Sequence, residues 1–181
     1  MIGELDMHIL DLVQNAIAAQ ARNIEVTIRC YDDRLMLQVS DDGVGMPTET
    51  LAAVNDGFYS SKPSQAVGLG LPLLRETAEQ CDGDFSIESV PGKGTTVTAT
   101  FRRSHIDLPP FGDLKATILD LLVMCEGRCI KVVYQCDGRD FDISSDQITS
   151  LLGGVRISHP AVIKFLQEYL TEQIGGNSDE T

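Results

Sequence analysis

The string DDGVGM, residues 41–46, follows directly on an alternating strand and constrains this chain more than any other stretch. In RLMLQVS, residues 34–40, Leu35, Leu37 and Val39 share one face, the period of a half-buried strand. Two glycines spaced two apart then stop the alternation; they let the backbone turn sharply and approach another group without Cβ obstruction. NIEVTIRC, residues 23–30, is a preceding strand with Ile24, Val26, Ile28 and Cys30 inward, and YDDR is the turn between the two. Before both comes a helix over 4–20, where Ile9, Leu10, Leu12, Val13, Ala16, Ile17 and Gln20 cover one arc. Asp11 and Asn15 project together at the edge of that arc.

After the glycine turn, residues 48–55 read as a short helix capped by Thr48, and 56–67, DGFYSSKPSQAV, have loop composition. GLGLPLLRETAEQC restarts a helix, with Leu71, Leu74, Ala78 and Cys81 at helical spacing and Pro72 in its first turn. DFSIES and TTVTATF are two further alternating strands joined by VPGKG. One-faced strands mixed with helices predict an α+β fold, a two-layer sandwich with helices on one side of a mostly antiparallel mixed sheet.

The two prolines and the glycine of SHIDLPPFGD mark a boundary. Beyond it Leu114, Ile118, Leu121, Leu122 and Cys125 stripe a helix, and KVVYQ and RDFDI flank an Asp-Gly hairpin signal. Ser144 with Gln147 resembles a capping box, and a last helix begins near Ser158 with Pro160 in its first turn. The organisation expected is residues 1–103, a linker at 104–112, a small α+β extension at 113–175 and a disordered tail at 176–181. That extension could dimerise, cap the sheet or hold a partner.

With 43% hydrophobic residues the chain can bury a core, and its net charge of −13 argues against a general nucleic-acid or anionic-membrane binder. No run of apolar residues reaches the length of a membrane span, and the acidic amino end lacks a secretory n-region, so a cytoplasmic protein is expected. Five cysteines in such a setting read as reduced thiols. Cys125, Cys129 and Cys136 cluster loosely without CxxC spacing, and ordinary packing is the plainer reading for them than metal binding.

Three elements carry chemistry. Asn15 can hold a hydrated Mg²⁺ beside phosphate oxygens, and a carboxylate one turn earlier, Asp11, can orient water or a hydroxyl. An acidic side chain in DDGVGM can accept the exocyclic amino proton of adenine. VGLGLPLL opens a helix with glycines, whose N–H groups and dipole favour phosphate. Each alone also reads as a solvated helix edge, a turn or a plain helix start. GxxxxGK[ST] and GxGxxG are both absent.

Together, in order over residues 5–102, these motifs resemble the gyrase, heat-shock chaperone, histidine kinase and mismatch-repair ATPase superfamily (GHKL, the Bergerat fold). DLVQNA resembles its N box, DDGVGM its first glycine box, FYSSK the F box of sensor kinases, VGLGLPLL the second glycine box, and PGKGTTVTATF the strand-closing segment. The resemblance implies ATP and Mg²⁺ as ligands, Asn15 as the magnesium ligand, Asp41 as the adenine reader, and Gly43, Gly45 and Met46 shaping the base pocket. It implies a lid over 56–67 anchored by Phe58 and Tyr59, with Lys62 either reaching a phosphate or standing as a solvated charge. Gly68, Leu69, Gly70 and Leu71 would contact phosphate through their backbone, Thr95 would support the pocket from the sheet, and Asp11 would be the catalytic base.

Three positions depart from the pattern. Asp11 stands where Glu is common, Asp42 where Asn is frequent, and Ala18 where sensor kinases often carry a basic residue. The paired carboxylates at 41 and 42 imply one raised pKa, without saying which. Sensor kinases place a phosphoacceptor-histidine hairpin upstream, whereas ten residues precede Asp11; His8, His105 and His159 lack the context of an acceptor. The expectation is a stand-alone histidine-kinase-like or anti-sigma-kinase-like protein transferring phosphate to a separate protein partner. A non-catalytic nucleotide sensor and a slow ATPase are the alternatives, and a homodimer is allowed.

Overall fold

The computed structural model describes residues 4–55 and 70–174. Chain order is α1 (Leu5–Ala18), β1 (Asn23–Tyr31), β2 (Arg34–Asp41), α2 (Thr48–Asn55), α3 (Gly70–Gln80), β3 (Phe85–Val90) and β4 (Gly94–Arg102). Then follow α4 (Leu114–Met124), β5 (Cys129–Cys136), β6 (Arg139–Ser144), α5 (Ser145–Leu152) and α6 (Pro160–Ile174). All six strands form one mixed sheet in the order β3-β4-β2-β1-β5-β6, with β1–β5 parallel and the other pairs antiparallel. This is the α+β two-layer sandwich expected from the sequence.

The apolar stripes fall where their periods put them. Leu5, Ile9, Leu12, Val13 and Ala16 of α1 are buried, as are Leu71, Leu74 and Ala78 of α3. They pack with Ile28, Leu37 and Phe101 of the sheet in a core that continues without a break into Ile118, Leu121, Leu122, Ile130 and Leu170. The extension therefore lengthens the sheet: β5 lies beside β1 from Asn23↔Cys129 to Arg29↔Gln135. Continuing that register brings Cys30 and Cys136 to a Cα separation of 4.6 Å and joins them in a disulfide. This corrects the reading of five reduced thiols. It also removes Cys136 from the Cys125, Cys129, Cys136 group, whose other two members are free.

The stretch before α4 packs across the start of α1. The N–H groups of Leu5 and Asp6, which have no intrahelical partner, donate to the carbonyls of Pro110 and Phe111 at 3.0 Å each. The buried Asp6 carboxylate accepts from the Thr117 hydroxyl at 3.1 Å, so α4 is pinned to the helix that carries Asp11 and Asn15.

Three local expectations change. The first helix stops at Ala18, and Gln20 takes φ 61°, outside the stripe. Ser144 is the N-cap residue of α5 but makes no side-chain cap bond, because its strand β6 runs straight into the helix. Asp113 caps α4 with its side chain, accepting from Lys115 and Ala116 N–H at 3.0 and 3.1 Å. Asp137 and Gly138, both at positive φ, close the predicted β5–β6 hairpin. The lid and tail expectations lie outside the described residues. Among those described, no helix is long and apolar enough to cross a membrane.

Candidate functional site

A hollow of about 300 Å³ opens between α1, the DDGVGM turn, the start of α3 and β4. Its walls are largely apolar, from Leu12, Val39, Val44, Met46, Leu71 and Val97, with Asn15, Asp41, Thr50 and Thr95 supplying polar groups. The pairing Asp41↔Thr95 across β2 and β4 sets two of those groups side by side.

Asp41 is half-buried, and its Oδ1 accepts the Gly43 N–H at 2.7 Å. Burial pushes its carboxyl above the usual range, against the N–H groups of Gly43 and Thr95, and the charge of Asp42 adds to the rise. Asp42 goes the other way. Exposed, it accepts from Asn23 N (2.8 Å), Asn23 Nδ2 (2.7 Å) and Arg22 N (2.7 Å), and these bonds hold it below the usual range. The two adjacent carboxylates thus have separate tasks: Asp41 faces the hollow, and Asp42 locks the turn to the start of β1.

Close approach explains two of the glycines. A Cβ at Gly43 would sit 2.6 Å from the Ala19 carbonyl oxygen. At Gly94, with φ +106°, it would sit 1.9 Å from the Asp41 carbonyl. Either side chain would displace the strand end that aims Asp41.

Of the residues singled out in the sequence, Asn15, Asp41, Gly45, Met46, Leu71 and Thr95 line the hollow, with Gly43 behind Asp41. Asp11 is exposed and outside the wall; a Cβ on Gly70 would lie 3.2 Å from its Oδ2, so it stands at the start of α3. One turn earlier His8 is half-buried, and burial lowers its imidazole pKa more than the nearby Asp11 raises it. Phe58, Tyr59, Lys62, Gly68 and Leu69 lie outside the described residues.

One contributor was missed. Ser89 Oγ accepts the Met46 N–H at 2.8 Å, donates to the Gly94 carbonyl at 3.0 Å and bonds Thr95 Oγ1 at 2.9 Å. It ties the glycine turn to the β3–β4 hairpin. The signal was in the alternation: Phe85, Ile87 and Ser89 share a face, and a serine in that inward phase needs partners. Thr50 of α2, at the mouth, gave no such signal.

The arrangement suits a flat base with an amino edge. Apolar walls cover its faces, and a carboxylate braced by backbone N–H groups meets its edge. Among the described residues no group of three or more His, Cys, Asp or Glu side chains could hold a metal. A cation here would rest on the Asn15 amide and on oxygens its ligand brings.

The family described as histidine kinase-, DNA gyrase B-, and HSP90-like ATPase matches residues 3–105. The chain is similar to sensor histidine kinase YxdK of Bacillus subtilis (strain 168), 32% identical over 97 residues, 50% of this chain and 30% of that protein. It is similar to sensor histidine kinase ZraS of Klebsiella oxytoca, 37% identical over 93 residues, 50% of this chain and 20% of that protein. Sporulation kinase E of Bacillus subtilis (strain 168) is 32% identical over 110 residues, 59% of this chain and 14% of that protein. The chain thus spans less than a third of each of these relatives.

Proposed function

The chain belongs to the histidine kinase-, DNA gyrase B-, and HSP90-like ATPase family and carries its histidine-kinase-like ATP-binding module; from that premise we propose that it binds ATP with Mg²⁺ in the α1–β4 hollow and transfers phosphate to a separate protein. The observation that carries the reading is Asp41, a half-buried carboxylate held by backbone N–H groups inside apolar walls. A carboxylate there accepts the 6-amino N–H of adenine and repels the carbonyl that guanine presents at the same position. Thr95 and Ser89 fix its direction through the paired strand.

Asn15, on the wall, offers its amide oxygen to Mg²⁺, which when bound offsets the charge of the phosphate oxygens. The α3 N-terminus at Gly70 and Leu71 presents backbone N–H groups to the same oxygens. Asp11, beside Gly70, takes the proton of an incoming nucleophile from the partner. Its place outside the wall favours a second reading, in which the module senses ATP without transferring phosphate.

The test is the full chain with γ-labelled ATP and Mg²⁺, with and without candidate protein partners. Label on a partner supports transfer, free phosphate supports hydrolysis, and saturable binding with neither supports sensing. Absence of adenine-nucleotide binding at millimolar concentration would overturn all three.

A further inference from the structure

A second hollow, of about 460 Å³, opens beside the first at the same end of the sheet. It lies between the α4–β5 turn, the start of α5 and the segment joining α5 to α6. Three guanidinium-bearing residues line it, Arg22, Arg128 and Arg156, from three separate stretches of a chain with net charge −13. Among the described residues, the side chains of Arg22 and Arg128 make no hydrogen bond or ion pair, and the charge of Arg156 acts on Glu126. Two carboxylates, Glu126 and Asp146, also line the hollow. Glu126 is already engaged: its Oε1 and Oε2 accept from Ser158 N and Oγ at 3.3 and 2.9 Å. Three arginines against two carboxylates leave this concave surface net positive in an acidic molecule.

We propose that this hollow is a second ligand site, for a small molecule bearing a phosphate or pyrophosphate group. Guanidinium forks match phosphate oxygens two at a time, and three of them around one hollow suit a multiply charged anion better than a monocarboxylate. The backbone at Gly127 and Gly154 leaves the loop walls open, since no atom lies within 4 Å of a Cβ built at either. The volume fits a metabolite. The site is distinct from the ATP hollow, yet one residue joins them: Arg22 lines this hollow while its N–H holds Asp42 beside the adenine turn.

Pyrophosphate is the probe, titrated into the full chain without Mg²⁺ at constant ionic strength and followed by amide chemical shifts. Saturable shifts are expected at Gly127, Arg128 and residues 154–157. The Arg128→Gln/Arg156→Gln variant should weaken them by about tenfold or more, in line with the loss of two charge-assisted pairs, and leave ATP affinity unchanged. An Arg128→Lys/Arg156→Lys variant, which keeps charge and loses the forks, should fall between. Shifts confined to residues around Asn15 and Gly70, linear shifts without saturation, or equal binding by the wild type and a folded glutamine variant would each overturn the proposal. ATP titrations of the same samples report on the first hollow separately.

Discussion

The two hollows share one end of one sheet and differ in almost every other respect. The first is apolar with a single half-buried carboxylate aimed inward; the second is lined by three arginines and two acids. The first is built from motifs whose order along the chain is itself a signature. The second is assembled by topology: Arg22, Arg128 and Arg156 meet only because β5 pairs with β1 in parallel and brings the α4–β5 turn next to the α1–β1 turn. A site whose residues sit in local motifs that follow one another in a fixed order is readable from sequence. One whose groups are more than a hundred residues apart becomes visible only once strand order is known.

That contrast rests on both hollows belonging to one folding unit, and the largest expected effect tests this. Leu122 is fully buried in the core shared by α1, α4, α6 and the sheet. Leu122→Ala should cost about 2–5 kcal/mol, the range for a core leucine truncated to alanine. It should do so in a single urea transition that removes ATP and pyrophosphate binding together. Two separated transitions would mean that the extension folds apart from the ATP module.

The Cys30–Cys136 disulfide gives the next largest effect, because it crosses between β1 of the first region and β5 of the second. It spans a sequence separation of 106, and reduction should destabilise the chain by about 2–4 kcal/mol. Cys30→Ser/Cys136→Ser should match the reduced wild type and be indifferent to reductant. Equal urea midpoints for oxidised and reduced wild type would show that the β1–β5 seam holds without the covalent link.

How much was legible follows from the same contrast. The helix and strand periods located α1, β1 to β4 and α3 to within a few residues, since each element has one apolar stripe and one polar face. Asn15 and Asp41 were singled out through the order of motifs and the resemblance it carries, and the structure brings both to the wall of the hollow. Ser89 was missed because its role depends on three partners, Met46, Gly94 and Thr95, that only the hairpin register assembles. The disulfide was missed because nothing local to Cys30 or Cys136 marks them as neighbours; parallel pairing over a long crossover does. The split between Asp41 and Asp42 needed Asn23 and Arg22 in place before the lower pKa could be assigned.

Asp41→Asn separates the two hollows by ligand. Losing a charge-assisted hydrogen bond to the base should weaken ATP binding by about 10- to 100-fold, while pyrophosphate binding at the arginine hollow stays unchanged. In the wild type, ATP affinity should fall on acidification, and from a higher pH than an ordinary aspartate would give, because burial raises the Asp41 pKa and only its charged form accepts the amino proton. The arginines do not titrate in that range. Calorimetry of ATP across a pH series on the wild type and Asp41→Asn, where the titration of the ligand's own phosphates is common to both, isolates the Asp41 contribution, and parallel decline of the two proteins would break this reading.

The smallest effect concerns stability alone and sits in α1. Burial lowers the folded-state pKa of His8 below the ordinary 6.5, so the unfolded chain takes up a proton at a higher pH than the folded one. The stability contributed by keeping His8 neutral is therefore fully present above about pH 6.5 and is lost as pH falls from there through the lower folded value. Asp11, whose charge partly offsets the shift, makes the effect modest. Thermal unfolding of wild type and His8→Gln between neutral and mildly acidic pH should show the difference in melting temperature narrowing or reversing in favour of the variant as pH drops. If the two fall in parallel, His8 titrates alike in both states and α1 carries no pH-dependent strain into the site it helps to build.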